Sequence, residues 1–412
     1  MREMKKILIL AYEYYPMENA NTKIVRNLCG LLAESCSVDL VTSAKPGMPG
    51  PEYDGKVHVI RVPEYSFHRE KCTGPLTPGI LARMVSAKIR GKLAHDETVP
   101  MLSRLYEYGI RKAVRVSDYD AVISFSAPFL THVCASRVVQ GSGTTWIAVS
   151  FDPFFSNRIF DPGRLEERKK QEESVLAPAD RVLITYPTDR DYLQAGVAFS
   201  DRITGVEMPG IFPDVQETAA DHEGCRCCFF GSLYREIRNP RRTAELFSAA
   251  GEGIEMRFVG RLVDGTEDEL FPAGHSCRVT GEKRGAALEE EYREADILVN
   301  IGNAVTNQMP SKIFEYISTG KPIVNIYRSP ECPTLRYLEK YPLALNIPET
   351  DVETDLTESA ERVRNFCREK KGQRVSAEEI AGLYRENTYE ALAEKLLEAA
   401  GGAAACRPGE KT

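Results

Sequence analysis

Short apolar runs recur along this chain at intervals too long for hairpins, and that spacing constrains the fold more than any other feature. Ile7–Ala11, Ser37–Thr42, Val57–Val62, Ala121–Phe125, Trp146–Ser150 and Arg181–Thr185 each read as a strand, with a helix over Thr22–Glu34 and helical or loop segments in the longer gaps. Strands separated in this way are joined by crossovers, so they lie mostly parallel in one sheet with helices on both faces. The pattern then restarts. Cys227–Phe230, Met256–Val259, Arg278–Thr280, Ile297–Asn300 and Pro322–Asn325 read as a second set of strands, with helices near Arg241–Ala250 and Ala286–Ala295. The break falls in the Gly- and Pro-containing, acidic segment Gly205–Gly224. An α/β chain of two doubly wound domains follows, over residues 1–205 and 206–379, with a last helix over 380–400 and a small, polar tail over 401–412.

A length of 412 residues fits that division, since it exceeds what one core usually serves. With 42% hydrophobic and 27% charged residues the composition is that of a soluble globular protein, and a net charge of -7 argues against wholesale nucleic-acid binding. The basic and then apolar start Lys5-Lys6-Ile-Leu-Ile-Leu10 is too short for a signal peptide and reads as the first strand; no run is long enough to span a membrane. Eleven cysteines scattered from Cys29 to Cys406 make no small disulfide framework and fit a reducing cytoplasm. Cys225, Cys227 and Cys228 lie close together in Cys-Arg-Cys-Cys-Phe-Phe, which reads as a buried strand with no second ligand cluster at metal-site spacing, so no metal is expected there.

The chemistry concentrates in Asn307-Gln-Met-Pro-Ser-Lys-Ile-Phe-Glu-Tyr-Ile-Ser-Thr-Gly-Lys-Pro-Ile-Val324. Pro310–Thr319 reads as a short helix, with Pro near its first turn and Gly320 ending it. Unpaired N–H groups and the positive dipole end at a helix start favour phosphate, and Ser311 and Lys312 add a hydroxyl and a cation there. Glu315 follows Ser311 by one turn, so its carboxylate could accept from two neighbouring hydroxyls while phosphates occupy the helix entrance. That pattern suits a nucleoside diphosphate.

Three other segments point to the same sheet edge. In Phe229-Phe-Gly-Ser-Leu-Tyr-Arg-Glu-Ile-Arg-Asn-Pro240 a strand ends in Gly231-Ser232, which lets backbone approach an anion, and Arg235 and Arg238 offer planar forks to a diphosphate. Open α/β sheets bind ligands at the carboxyl ends of their strands. Phe258-Val-Gly-Arg-Leu262 and Val279-Thr-Gly281 also follow strands, and Asp296-Ile-Leu-Val-Asn-Ile-Gly-Asn303 runs into a loop from which Asn303 could reach a ligand's phosphate or hydroxyl groups, or simply stabilise a turn.

The run Pro-Ser-Lys-x-Phe-Glu-Tyr-x-x-x-Gly-Lys-Pro resembles the donor-binding region of retaining glycosyltransferases of the GT-B fold, family 4 in particular. The family motif is commonly Glu-x7-Glu; Asn307 stands at the first Glu and Glu315 at the second. The resemblance implies two Rossmann-like domains facing a cleft, with the helix over 380–400 packed back on the first. It implies that Glu315 holds the ribose hydroxyls, that Asn307 falls at the donor-sugar position, and that backbone near Thr280 and Gly281 reads the nucleobase. One of Arg235 and Arg238, with Lys312, would neutralise the leaving diphosphate. The implied activity is hexosyl transfer from a UDP- or GDP-linked sugar to a glycan or lipid-linked acceptor, with acceptor attack on the same face and no metal or cofactor required.

The first domain then holds the acceptor. Glu13–Asn21 follows the first strand, where the family often has a Gly-rich loop; here the run is Glu-Asn-Ala-Asn, and Asn21 with Thr22 can contact phosphate or cap a helix. No Gly-x-Gly-x-x-Gly follows this strand, which disfavours a dinucleotide enzyme. Ser124-Phe-Ser-Ala-Pro-Phe-Leu-Thr-His132 carries a histidine near the point where some relatives contact the donor sugar, making His132 the catalytic candidate on this side, against packing or capping. Asp152, in Phe151-Asp-Pro-Phe154, can bind an acceptor hydroxyl or make a turn. Over Ile80–Leu93, Leu81, Val85, Ile89 and Leu93 form one helical stripe, with Ile80 and Met84 beside it and Arg83, Lys88, Arg90 and Lys92 elsewhere. Such a helix can pack on a sheet or lie on the inner face of an anionic membrane. A non-catalytic nucleotide- or glycan-binding subunit, or a sugar-nucleotide epimerase or hydrolase, are the other readings of this sequence.

Overall fold

The computed structural model describes residues 4–17, 19–45, 47, 52–65, 71–94, 100–126, 128–157, 162–212, 215 and 222–402, except for the side chains of 87, 89–94, 100 and 402. The chain forms two compact units, one from the residues up to Pro209 with those from Tyr389 onward, the other Gly210–Thr388.

In the first unit β1 (Lys6–Leu10), β2 (Ser37–Ala44), β3 (Glu52–Asp54), β4 (Val57–Pro63), β5 (Ala121–Phe125), β6 (Thr145–Ser150), β7 (Arg181–Thr185) and β8 (Ile203–Val206) make one sheet in the order β3-β4-β2-β1-β5-β6-β7-β8. Every pairing is parallel except β3 with β4. The central strands are apolar on both faces, as a helix-covered parallel sheet requires, and Leu8, Leu10, Val122, Trp146 and Ile184 lie in its main core. Sequence patterning does not reveal β3 and β8, because these edge strands are short and carry few buried apolar residues. Gly205 pairs within β8, so the chain leaves this unit a few residues later than the composition break suggests.

The second unit contains β9 (Cys225–Phe230), β10 (Ile254–Val259), β11 (Arg278–Val279), β12 (Ile297–Ile301), β13 (Ile323–Tyr327) and β14 (Ala344–Pro348), all parallel, in the order β11-β10-β9-β12-β13-β14. The order reverses between β9 and β12. In doubly wound sheets that reversal opens a crevice at the carboxyl ends of the two strands, which is where ligands bind.

The helix expected over 380–400 is two elements. Ala377–Leu383 belongs to the second unit, where Tyr384 beyond its end donates to Tyr337 O (2.7 Å), and a turn at Arg385–Asn387 follows. Tyr389–Gly402 belongs to the first unit and packs against the Ala20–Leu32 helix. Of the expected tail, residues 403–412 lie outside the described residues.

Candidate functional site

β9 ends at Phe230, and the chain turns at Gly231 with φ +139°, a backbone conformation that side-chain-bearing residues seldom adopt. A Cβ on Gly260, at the end of β10, would lie 1.7 Å from Gly231 O, so the two strand ends touch backbone to backbone. Their extensions stay paired: Leu233 N donates to Arg261 O (2.9 Å) and Val263 N to Leu233 O (3.0 Å). Ser232 lies half-buried between these contacts.

The next turn is closed by Tyr234 N to Arg238 O (3.1 Å) and by Asn239 Nδ2 to Arg235 O (2.9 Å), and Ala304 N fastens it to the loop after β12 by donating to Ile237 O (2.7 Å). It sends its two arginines in different directions. Arg235 is exposed and pairs with Glu269 (3.1 Å). Arg238 is half-buried, and both Nε (3.1 Å) and Nη2 (2.7 Å) donate to Oδ1 of Asn303, itself buried. Burial holds the Arg238 pKa below its ordinary value, and among the described residues no carboxylate pairs with this guanidinium. A partly desolvated guanidinium with a neutral partner keeps its full charge for any anion that reaches it.

The helix of the sequence motif runs over Lys312–Ser318, with Ser311 at its N-cap position. Lys312 Nζ donates to Glu315 Oε2 (2.6 Å), and the hydroxyl of Tyr292 lies 3.5 Å from each. Tyr292 stacks on Phe230, with ring centres 3.9 Å apart and planes within 7°. Tyr316 accepts from Phe230 N (2.8 Å) and donates to Phe230 O (3.3 Å). The last residue of β9 is therefore fixed by both helices that flank the crevice. Sequence reading missed Tyr292 and Tyr316; the second sits inside the motif beside Glu315, whereas nothing local marks the first. It also missed Lys321, whose buried ammonium donates to the carbonyls of Tyr292, Ala295 and Arg293 (3.2 Å for the last) at the end of the Ala286–Glu294 helix.

The remaining candidates of this unit are less central. Asn303 Nδ2 donates to Gln308 O (3.4 Å), and Asn307 is buried in the loop that this contact braces. Thr280 N donates to Phe258 O (3.0 Å) and Gly281 is exposed, both at the outer strand β11.

No family model matches this sequence, and no curated protein matches it. Solved structures do. Sucrose-phosphate synthase from Thermosynechococcus elongatus is similar over 96% of this chain and 98% of its own at 14% identity, with a TM-score of 0.58. HepE from Anabaena, in complex with UDP-glucose, is similar over 96% and 99% at 11% identity (TM-score 0.58). WaaG, a glycosyltransferase involved in lipopolysaccharide biosynthesis, is similar over 96% and 100% at 14% identity (TM-score 0.57). The chain has the GT-B fold.

Within the GT-B framework, the first-unit candidates stand differently from the sequence expectation. His132 has no exposed surface: Ser124 Oγ lies 2.8 Å from Nδ1 and Ser150 Oγ 3.2 Å from Nε2. Trp146 Nε1 donates to the same Ser124 Oγ (2.8 Å). Burial pushes the His132 pKa down to about 3, so the ring is neutral. It ties β5, β6 and its own helix together inside the core and does not present a catalytic group to solvent, which corrects its candidacy. Asn21 is not the cap of the Ala20–Leu32 helix. Asn19 is, accepting from Thr22 N (2.9 Å) while Thr22 Oγ1 accepts from Asn19 N (3.0 Å); Asn21 falls in the first turn. Asp152 is half-buried just beyond β6, in a loop whose Phe154 stacks on Phe129 (4.0 Å between centres).

The basic helix runs over Pro78–Ala94. Ile80 and Met84 pack with Tyr65 and Leu105, whereas Leu81 and Val85 remain 41% and 49% exposed. Arg83 lies over the Tyr108 ring (4.6 Å). The side chains of Ile89, Arg90, Lys92 and Leu93 lie outside the described residues.

Proposed function

We propose that this chain is a retaining glycosyltransferase that moves a hexosyl group from a UDP- or GDP-linked donor to a glycan or lipid-linked acceptor. The Arg238–Asn303 pair carries this reading. It sets a guanidinium that pairs with no carboxylate among the described residues at the carboxyl ends of β9 and β12, the crevice where doubly wound sheets take nucleotides. The UDP-glucose complex of the similarly folded HepE supports the donor class.

Arg238 binds the diphosphate and stabilises the charge that develops on it as the anomeric C–O bond opens. Lys312 and Ser311 add a cation and a hydroxyl; Glu315, released from Lys312 by the arriving phosphates, accepts hydrogen bonds from the ribose hydroxyls. Arg235, engaged by Glu269, plays the smaller part. The acceptor oxygen bonds to the anomeric carbon from the face the diphosphate leaves, and its proton passes to a phosphate oxygen. No step in this route calls on a metal. Thr280, Gly281, Asn303 and Asn307 remain proposed donor contacts, and Asn21 and Asp152 proposed acceptor-side groups. Exposed Leu81 and Val85 beside Arg83 and Lys88 support contact with an anionic lipid surface and hence a lipid-linked acceptor.

The test is incubation of the purified chain with a panel of nucleotide sugars, with and without acceptors, followed by product analysis. Acceptor-dependent release of nucleoside diphosphate with a glycosylated product is expected. Free isomerised sugar would instead indicate an epimerase, and binding without turnover a non-catalytic subunit.

A further inference from the structure

Cys225 and Cys227 stand two residues apart on β9, so their side chains leave the same face of the sheet, and Cys228 leaves the other. The helix Leu356–Lys370 packs over the first of these faces and brings in Cys367, 140 residues later in the chain. The three Sγ atoms lie within 4.8 Å of one another, and Cys227 and Cys367 are 3.7 Å apart. Zinc–thiolate bonds of about 2.3 Å at tetrahedral angles put neighbouring sulfurs roughly 3.8 Å apart. A disulfide would need about 2.05 Å. The Cys227–Cys367 separation fits two sulfurs around one ion, as it also fits two thiols in contact, and excludes a disulfide.

The cluster opens at the amino end of β9, opposite the carboxyl-end crevice. Cys225, the first residue of the strand, keeps 7% exposure. Asp296 accepts from Arg226 N (2.8 Å) and lies 3.4 Å from His222 Nε2 and 3.9 Å from Lys371 Nζ. Lys371, one helical turn beyond Cys367, also donates to the carbonyls of His222 and Gly224. Asp296 and Lys371 therefore stand beside the three thiols, and the Lys371 ammonium offsets part of the negative charge that three thiolates keep around a mono- or divalent ion.

We propose that Cys225, Cys227 and Cys367 form a binding site for a thiophilic d10 cation, zinc(II) or copper(I). Binding displaces the thiol protons to solvent and joins β9 to the Leu356–Lys370 helix through the ion. The sequence alone gives no expectation of a metal at this strand, since Cys367 lies too far along the chain to form a spacing motif. The site is independent of the glycosyltransferase reading.

The test uses the full chain, reduced and stripped with chelator, then titrated with cadmium(II), zinc(II) and copper(I) separately, with thiolate-to-metal absorption, competition against a chromophoric chelator and thermal unfolding as readouts. One equivalent bound, with a raised Tm, is expected of the wild type and of Cys228→Ser, and at least a tenfold weaker affinity of Cys225→Ser and Cys367→Ser. A reduced, folded wild type that binds none of the three overturns the proposal, as does binding that survives both ligand substitutions. Recovery of a Cys227–Cys367 disulfide in protein that takes up no metal after reduction would replace it with a redox pair. Because no readout uses sugar transfer, failure here leaves the transferase reading untouched.

Discussion

Arg238 gives two hydrogen bonds to a single oxygen of Asn303, joining the turn after β9 to the loop after β12 across the point where the strand order reverses. Removing the guanidinium therefore removes a brace for the loop and, on the proposed function, the charge that meets the diphosphate. Arg238→Ala is expected to lower kcat by roughly a hundredfold or more, the scale for deleting one fixed donor to a developing charge. Arg238→Lys should recover little, because an ammonium cannot reproduce the fork. Arg235→Ala, whose side chain pairs with Glu269, should cost less than about tenfold on the same scale. Steady-state kinetics of the three variants decide this, and equal losses for both alanine variants would argue against Arg238 as the principal cation.

Glu315→Gln should weaken nucleoside diphosphate binding by about 1.5 to 3 kcal/mol, the range for a hydrogen bond to a charged group, while leaving the fold intact. Calorimetric titration measures it. An unchanged affinity would remove Glu315 from the site.

His132 supplies a pH dependence. Its folded pKa near 3 lies below the ordinary value of about 6.5, so between these values the unfolded chain binds a proton that the folded chain does not. The contribution is fully present above about pH 6.5 and declines at roughly 1.4 kcal/mol per unit as pH falls toward 3. Buried Glu172, pushed up to about 7, acts in the opposite sense between roughly pH 4.5 and 7, so the raw curve mixes the two. The informative measurement is the difference in unfolding free energy between wild type and His132→Gln. That difference should shift against the wild type on acidification, and a pH-independent difference would contradict a buried, neutral ring.

Lys321→Met should destabilise the second unit by about 1 to 3 kcal/mol, because three carbonyls at the end of the Ala286–Glu294 helix lose their donor. Urea unfolding followed by circular dichroism reads this directly. A neutral result would mean that water replaces the ammonium.

Replacing Arg83 and Lys88 with Gln should reduce co-sedimentation with anionic vesicles by up to about 1 kcal/mol per cation. Wild-type protein that stays in the supernatant would favour a soluble acceptor.

The strands that carry apolar runs were legible in the sequence, since their faces must be buried and the runs show it. The edge strands β3, β8 and β14 were not, because hydrogen bonding to one neighbour defines them more than side-chain burial does. Ser311, Lys312 and Glu315 were legible together as site candidates for a local reason: residues three or four apart on a helix share a face. The division into two units was legible, but not the split of the last helical stretch, which turns on where Asn387 accepts from Gly210 N (2.9 Å) and Ile211 N (3.0 Å).

Sequence spacing by itself determined the parallel α/β architecture and the presence of the Lys312–Ser318 helix, because crossover lengths and helix signals are read along the chain. Only the tertiary structure decided that Arg238 rather than Arg235 meets Asn303, that His132 is enclosed between Ser124 and Ser150, and that Cys367 reaches Cys225 and Cys227. Those relationships depend on strand order and on how each crossover packs, which bring together residues whose separation along the chain carries no geometric information.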